Sequence, residues 1–275
     1  MKHTYLIACS LIACSVLAVV LFVLPGLAQI EAEIAPEFYF TRLVYGGGLR
    51  PGRTPQMDLR CADLERGEGG SRFGGGWSTD FPASDCKFMW GIQRLSNIRV
   101  YDKSPHLITA LDPRLFSYPY LYVVSPHRMV LLREEAARLR EYLLRGGFLH
   151  LDDYWGLQQR RVVESEIAKI FPDRQMVRLT LDHEVFHTFF DIDTVMQIPN
   201  VNNACRGRQT WEQRSEIEPM IFGVSDDDGR LMVLLTYNSD LGDAWEWMDL
   251  ECYPQQYSGQ AYRMGLNFMI YAMSH

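Results

Sequence analysis

The chain has no surplus of basic residues. It contains 27 Lys and Arg against 34 Asp and Glu, which gives a formal net charge of −7 at pH 7. Residues 1–28 include one lysine and no acid, so the rest of the chain is more acidic still. Nucleic-acid binding depends on a basic surface that neutralises phosphates. The composition therefore argues against nucleic acid as a partner.

Cysteine is scarce: the chain has 6, and no two have the C-x-x-C spacing of a zinc knuckle. Cys9 and Cys14 lie in the apolar N-terminal stretch, and the others are Cys61, Cys86, Cys205 and Cys252. In an oxidising compartment these four could form two disulfides, for which three connectivities exist. Buried free thiols are the alternative. A bridge between Cys61 and Cys86 would fix the long loop that lies before Cys86.

The sequence shows no internal repeat and no linker within residues 37–275, so we expect one domain there. Residues 1–28 differ, because an uncharged apolar run over 5–24 ends in Gly26-Leu27-Ala28, residues that a signal peptidase prefers. The run is also long enough to span a bilayer. We predict a signal peptide or a retained N-terminal membrane anchor, then a short linker at 29–36. The body is expected to be exported, periplasmic or otherwise extracytoplasmic, and to meet the membrane only through its N-terminal segment.

Strand and helix patterns alternate along most of the chain. Helices are expected over 84–95, where Ser84 or Asp85 would cap, before Gly146-Gly147, over 159–171 and over 260–273. Residues 49–76 are rich in glycine, arginine and proline and predict a long irregular loop. The alternation indicates an α/β fold, a doubly wound and mostly parallel sheet with a C-terminal hairpin and helix. Strands are expected over 37–45, 98–101, 120–125, 148–151, 176–181, 220–224 and 231–237.

Polar residues follow several of these predicted strands. Asp152, Asp153 and Trp155 come directly after the strand at 148–151, where an open α/β sheet places its ligand. Neighbouring residues face opposite sides, so at most one of the two carboxylates should enter the crevice, with Asp153 favoured; a solvated turn is the alternative. Arg42 and Asp80 lie between the first strand and the first helix, and either face the same crevice or pair with each other.

The stretch after the last strand combines acids with flat aromatic rings. Such a combination suits a polyol or sugar. Its oxygen atoms could also hold calcium, although the spacing is not that of an EF-hand. Alternatively, the tryptophans anchor this stretch in the core. The residues concerned are Asn238, Asp240, Asp243, Trp245 and Glu246, with Trp247.

Residues 183–187 fit the His-Glu-x-x-His pattern, which on a helix places two histidines around zinc. Here the motif directly follows a predicted strand, the next residues are poor helix formers, and the extended metzincin pattern is absent. His183 and His187 are thus weak metal candidates, and we assign neither a metal nor a cofactor. Asp182 and His183 could instead lie beside Asp152 and Asp153 to bind a metal or move protons. A helix cap and a backbone hydrogen bond are the structural alternative.

Six stretches together resemble the bacterial family called domain of unknown function 4159, over most of residues 37–275. That family is similar in fold to class I glutamine amidotransferase-like domains, including the trehalose-utilisation type. The resemblance implies a flavodoxin-like fold and carries no established activity. The stretches are FYFTRLVYGGG, WSTDFPASDCKFMWGIQRLSNI, YLLRGGFLHLDDYWG, LDHEVFHTFFDI, GRLMVLLTYNSDLGDAWEW and YRMGLNFMIYAMSH.

Amidotransferase chemistry needs a cysteine on the turn after a strand, activated by a histidine. The corresponding turn here offers Asp153 and Tyr154, so we expect no glutaminase activity. The leading hypothesis is an exported, non-glutaminase domain that binds a small or glycan-like ligand, with envelope proteins as possible partners. The second is a metal-dependent hydrolase that uses Asp152, Asp153, Asp182, His183 and His187. The third is a structural interaction module.

Overall fold

A seven-stranded sheet organises the molecule, with strand order β2-β1-β3-β4-β7-β6-β5. The computed structural model describes residues 35–46, 55, 60–65, 75–101 and 103–275. The strands are β1 (Thr41–Leu43), β2 (His106–Ile108), β3 (Tyr120–Val124), β4 (Phe148–Tyr154), β5 (Val177–Arg178), β6 (Met220–Ser225) and β7 (Leu231–Tyr237).

Five neighbouring strands, β2-β1-β3-β4-β7, are parallel. Beyond them, β6 pairs antiparallel with β7, and β5 pairs antiparallel with β6. Consecutive parallel strands need helical crossovers, whereas β6 and β7 are joined by a short turn in which Asp226 accepts from Arg230 N. This arrangement confirms the predicted α/β class with a mostly parallel sheet and a hairpin near the C-terminus.

Seven α-helices are described in these residues, and they cover both faces of the sheet. α3 ends where Gly146 adopts φ of 106°, the left-handed stop that the Gly146-Gly147 pair predicts. The helices are α1 (Cys61–Glu65), α2 (Ala83–Leu95), α3 (Arg133–Leu144), α4 (Gly156–Ile170), α5 (Val201–Cys205), α6 (Leu241–Glu246) and α7 (Gln255–Ser274).

The two sheet faces form separate cores because side chains alternate along each strand. Tyr120 and Tyr122 of β3 point to the face covered by α2, α6 and α7, where Phe88, Trp245 and Phe268 are buried. Leu121 and Val123 point to the opposite face, against α3 and α4, through residues such as Leu139 and Val163. Most strand residues are therefore buried, and the site can form only at an edge of the sheet.

Several predicted boundaries are wrong. The predicted strand at 98–101 is only an isolated bridge between Val100 and Phe38, and the partner of β1 begins after Pro105, at His106. The strand at 176–181 shortens to two exposed residues at the sheet edge. Ser84 and Asp85 do not cap α2, because both lie inside it and bind Arg42. β4 extends to Tyr154, so Asp152 and Asp153 lie within the strand.

Two disulfides join the cysteines of the described part, Cys61–Cys86 and Cys205–Cys252. The first confirms the expected bridge and ties α1 to α2. Residues 1–28, most of 29–36 and most of the predicted loop at 49–76 lie outside the described residues. Glu37–His275 forms one compact unit. No helix within the described ranges is long and apolar enough to cross a membrane.

Candidate functional site

A cleft of about 370 Å³ lies at the carboxyl ends of the parallel strands. Open α/β sheets bind ligands at this edge, near the point where the strand order reverses, which here is between β1 and β3. The lining is polar except for Trp155 and Gly75. It comprises Gly75, Thr79, Asp80, Ser125, His127, Arg128, Asp153, Trp155, Gln159, Glu212, Asp240 and Asp243.

Backbone strain concentrates around this cleft. In the described part of the chain, 4 non-glycine residues have positive φ: Asp80 at 59°, Ser125 at 48°, Asp153 at 59° and Asn238 at 54°. Three of them line the cleft, and Asn238 directly follows β7 beside it. Left-handed backbone at Asp and Ser costs free energy and persists where the surrounding structure imposes it, commonly at functional sites.

The side chains of Asp152 and Asp153 point in different directions, as the alternation of side chains along a strand predicts. Asp153 lies on the cleft wall, where Oδ2 accepts a hydrogen bond from Ser125 Oγ and Oδ1 accepts one from Trp155 Nε1, both at 2.8 Å. These two donors hold the carboxylate in place while it remains half-buried. Trp155 itself is almost fully buried and acts as a fixed donor to Asp153.

Asp152 is fully buried and points away from the cleft. Its Oδ2 accepts from Tyr122 Oη and from the backbone N–H groups of Leu241 and Gly242, at 2.8–3.0 Å. Its Oδ1 accepts from Thr236 Oγ1. Burial raises the pKa of Asp152 to about 7, although these donors oppose the shift. Asp152 therefore anchors the start of α6 to β4.

Gly242 makes this anchoring possible. A Cβ at this position would lie 2.7 Å from Asp80 Oδ2 and 3.0 Å from Tyr122 Oη. Any side chain would push Asp80 out of the cleft wall or move α6 away from Asp152. The close approach of α6 to β4 thus depends on glycine.

Arg42 is completely buried and does not pair with Asp80. Its guanidinium donates to both Asp85 carboxylate oxygens, to Ser84 Oγ and to the carbonyls of Trp77 and Thr79. All five donors of the side chain are used. Arg42 therefore holds the 77–85 segment, and with it Asp80, against β1.

The predicted loop after β7 supplies a dense group of buried acids. Asp240 caps α6 by accepting from Asp243 N, while Asp243 accepts from Val201 N and from Trp247 Nε1. Glu246 is 6 % exposed, on the side of Asp80 and Lys87. Trp245 stacks on Phe88 inside the core with ring centroids 4.2 Å apart, so it anchors α6 and does not face the cleft.

Asn238 is also buried and fully bonded. Its Oδ1 accepts from Gly156 N, and its Nδ2 donates to the carbonyls of Glu216 and Glu218. It joins the turns after β4 and β7 to the 216–218 segment. Asn238 therefore shapes the surroundings of the site; it is fully buried and both of its amide donors are used within the fold.

The carboxylates of the cleft approach one another closely. Oxygens of Asp80, Asp240 and Asp243 lie within 4.8 Å of one another, and so do oxygens of Asp153, Glu212 and Asp240. Burial, with Asp243, Glu246 and Asp153 nearby, raises the pKa of Asp80 well above its usual value, and burial with Asp243 and Asp153 does the same for Asp240.

Burial also raises the pKa of Asp243 to about 6, and that of Glu212 and of Glu246 to about 7. Ionised carboxylates this close together repel one another. Either a bound cation or protonation of some of them relieves that repulsion.

Seven cleft residues were missed by the sequence-based prediction: Gly75, Thr79, Ser125, His127, Arg128, Gln159 and Glu212. Ser125, His127 and Arg128 follow β3 at the same edge as Asp153, so the rule that located Asp153 applies to them as well. Burial lowers the pKa of His127, and Asp153 opposes that shift. Glu212 lies in an irregular stretch whose pattern carries no signal of its position. Only the folded chain brings it to Asp240.

The model of the family described as "Domain of unknown function (DUF4159)" matches residues 60–273. The chain belongs to this family. No curated protein matches the chain at a significant level. The DUF4159 region contains every described residue of the cleft, from Gly75 to Asp243.

The His-Glu-x-x-His segment of this DUF4159 chain lies at the end of the sheet opposite to the cleft. His183 packs near Tyr271, whose hydroxyl accepts from the N–H of Leu231, the first residue of β7. Glu184 lies 3.5 Å from His275, the last residue of the chain. The amino ends of the parallel strands are therefore beside these residues, whereas Asp153 lies at their carboxyl ends.

The motif has no zinc-site geometry. Glu184–Phe186 form a single 3-10 turn, so the two histidines do not share an α-helical face. His183 Nδ1 accepts from Val185 N, and both ring nitrogens of His187 are engaged, by Asp191 and by the carbonyl of Leu181. Asp182 is exposed and accepts from Thr180 Oγ1. The structure thus separates these residues from Asp152 and Asp153.

Proposed function

We propose that this DUF4159 chain is an exported, non-glutaminase domain that binds a small polar ligand of the glycan type in the acidic cleft. The observation that carries the proposal is the cleft lining, in which carboxylates, hydroxyls, an amide and a histidine converge with one tryptophan. Sugar hydroxyls donate to carboxylates and accept from Gln159 or Arg128, so such a ligand could satisfy these groups without bringing further negative charge.

A second depression, of about 860 Å³, adjoins the cleft and shares Trp155 and Gln159 with it. It runs along α4 and is lined by side chains of mixed character, including Leu157, Val162 and Arg161. Together the two depressions favour an elongated ligand whose polar end occupies the acidic cleft.

The absence of glutaminase activity is inferred from the strand-to-helix turn after β4. The positive-φ position just before this turn, near the end of β4, holds Asp153, whose oxygens accept from Ser125 and Trp155. All four cysteines of the described part are in disulfides, so none of them offers a free thiolate.

The strand order of the parallel part supports a flavodoxin-like arrangement. β2-β1-β3-β4-β7 corresponds to the doubly wound order 2-1-3-4-5 when the hairpin strand β7 takes the fifth place. Two disulfides support export, because such bonds persist in oxidising compartments. Envelope protein partners stay a prediction.

The metal-dependent hydrolase built from Asp152, Asp153, Asp182, His183 and His187 is not proposed, since these residues lie at opposite edges of the sheet. Saturation-transfer NMR on the chain isolated from its host tests the proposed binding, with trehalose, maltose and N-acetylglucosamine as probes. We expect at least one sugar to receive saturation from the protein, and Asp153→Asn to abolish that transfer while Asp182→Asn preserves it. Transfer to none of the sugars, or transfer unchanged in Asp153→Asn, would overturn the proposal.

A further inference from the structure

The buried carboxylates of Asp80, Asp240 and Asp243 form an all-oxygen group whose atoms lie within 4.8 Å of one another. Opposite ligands of one calcium ion are about 5 Å apart at most, because calcium–oxygen distances are 2.3–2.6 Å. The three side chains therefore already have a separation that a single calcium ion can bridge. Asp153 and Glu212 lie within the same distance of Asp240 and extend the set of oxygen donors.

Two of the three carboxylates are held in place by the fold. Asp240 Oδ1 accepts from Asp243 N at 2.9 Å, and Asp243 Oδ2 accepts from Val201 N at 2.7 Å. Each accepted bond occupies one lone pair and leaves others on the same carboxylate. These side chains are thus oriented before a ligand arrives, which lowers the entropic cost of binding one.

Asp80 is an independent sign of a missing partner. Its side chain lines the cleft, the residue is only 8 % exposed, and its Oδ2 is buried without any hydrogen-bond donor. A buried carboxylate oxygen without a donor is costly and rare in native proteins. Arg42, a cation close enough to oppose the raised pKa of Asp80, has all its donors committed to Asp85, Ser84, Trp77 and Thr79. In its ionised form, Asp80 therefore lacks a partner for this oxygen, which a bound cation would supply.

We propose that Asp80, Asp240 and Asp243 bind one calcium ion, with Asp153 and Glu212 beside it. Oxygen donors alone select a hard cation over zinc or copper, which prefer nitrogen and sulfur ligands. Magnesium usually takes one or two carboxylates and keeps several waters, whereas calcium takes six to eight oxygens in flexible geometry. Three to five carboxylates in one cleft favour calcium. The site goes beyond the proposed binding of a polar ligand and does not require it.

Isothermal titration of the chelator-treated full chain with calcium chloride tests the site. We expect one site with a dissociation constant at or below about 1 mM, the range of extracellular calcium modules, and weaker binding of magnesium chloride. Asp80→Asn removes a ligand charge while Asn tolerates the positive φ, so calcium binding should weaken by about tenfold or more. Asp182→Asn, at the other edge of the sheet, should bind as the unmodified chain does.

Terbium luminescence gives a second measurement that needs no variant, since terbium replaces calcium at oxygen sites and Trp155 lines the cleft. Excitation of tryptophan should produce terbium emission that calcium chloride removes. Asp243→Asn is the second variant if Asp80→Asn does not fold, as judged by circular dichroism. The proposal is overturned if neither calcium nor terbium binds, if magnesium binds equally well, or if the folded variant keeps the original affinity. Because no sugar is present, these results are independent of the NMR test.

Discussion

Asp152 and Asp153 are neighbours in the chain, yet their carboxylates have opposite surroundings. Asp152 receives two backbone N–H groups and two hydroxyls in the interior, whereas Asp153 receives one hydroxyl and one indole N–H at the cleft wall. The alternation of side chains along β4 separates the two carboxylates. The left-handed backbone at Asp153 fixes its carboxylate near the end of β4. One acid thus stabilises the fold, and its neighbour faces the acidic cleft.

The buried pair of Arg42 and Asp85 provides a test of how the cleft is supported. Arg42→Met should lower the free energy of unfolding by about 3–5 kcal/mol, because it leaves a buried carboxylate and several acceptors without donors. The measurement is urea unfolding followed by circular dichroism. Arg99→Met is the matched control: Arg99 pairs with Glu37 and both are about half exposed, so the change should be below about 1 kcal/mol. A similar loss in both variants would contradict the role of Arg42.

At the scale of elements, α1 and α2 are joined by the Cys61–Cys86 bridge, which spans 25 residues. The bridge joins Cys61, the first residue of α1, to Cys86 in the first turn of α2, next to Asp85. It therefore reduces the conformational freedom of the unfolded chain and ties α1 to the helix that positions Arg42.

Replacing Cys61 and Cys86 together with serine should destabilise the folded chain by on the order of 3 kcal/mol at most, through loop entropy in the unfolded state. Thermal melts of the variant and of the unmodified chain measure the change. The matched control is Cys205→Ser/Cys252→Ser, a bridge that spans 47 residues and should contribute at least as much in the same model. If peptide mapping without reductant finds Cys61, Cys86, Cys205 and Cys252 all alkylatable in the chain isolated from its host, both bridges are contradicted.

Much of the element order could be predicted from the sequence, because the periodicity of β3, α3, β6 and β7 is strong and local. The short edge strand β2 could not, since three residues carry little pattern and their pairing is set by neighbours, and β5 was predicted too long for the same reason. Asp85 was predicted as a cap because Asp favours that position locally; its partner Arg42 is 43 residues away in the chain.

At the scale of the whole molecule, the cleft gathers five acids from four segments: Asp80, Asp153, Glu212, and Asp240 with Asp243. The sequence located four of these five because they flank predicted strands or helices. It could not separate cleft-facing from structural residues, so the prediction grouped Arg42, Asp152, Asn238 and Trp245 with them. That distinction depends on contacts across the sheet, which no local pattern contains.

The crowded acids predict an unusual pH dependence of stability for the metal-free chain. Folding raises the pKa of Asp152, Glu212 and Glu246 to about 7 and that of Asp243 to about 6, above their usual values. The folded state then binds more protons than the unfolded state, so stability decreases as pH rises through these values.

Between pH 6.5 and 8 we expect a loss of about 1–2 kcal/mol in the free energy of unfolding, measured by urea titration with chelator present. His150 acts in the opposite direction only at lower pH, because burial lowers its pKa to about 3 and the unfolded histidine gains a proton below about pH 6.5. Stability that rises from pH 6.5 to 8 would contradict the raised pKa values that burial gives these carboxylates. Asp182→Asn should not alter the profile.

A crystal structure of the chain as isolated from its host, without added sugar or metal, tests the location of the site most directly. The cleft is the place where strained backbone, crowded carboxylates and an unpaired buried oxygen coincide. We predict ordered density, beyond water, in contact with Asp80, Asp153 and Asp243. A cleft that holds only water, with a bound ion or molecule at His183 and His187 instead, would contradict this account of the protein.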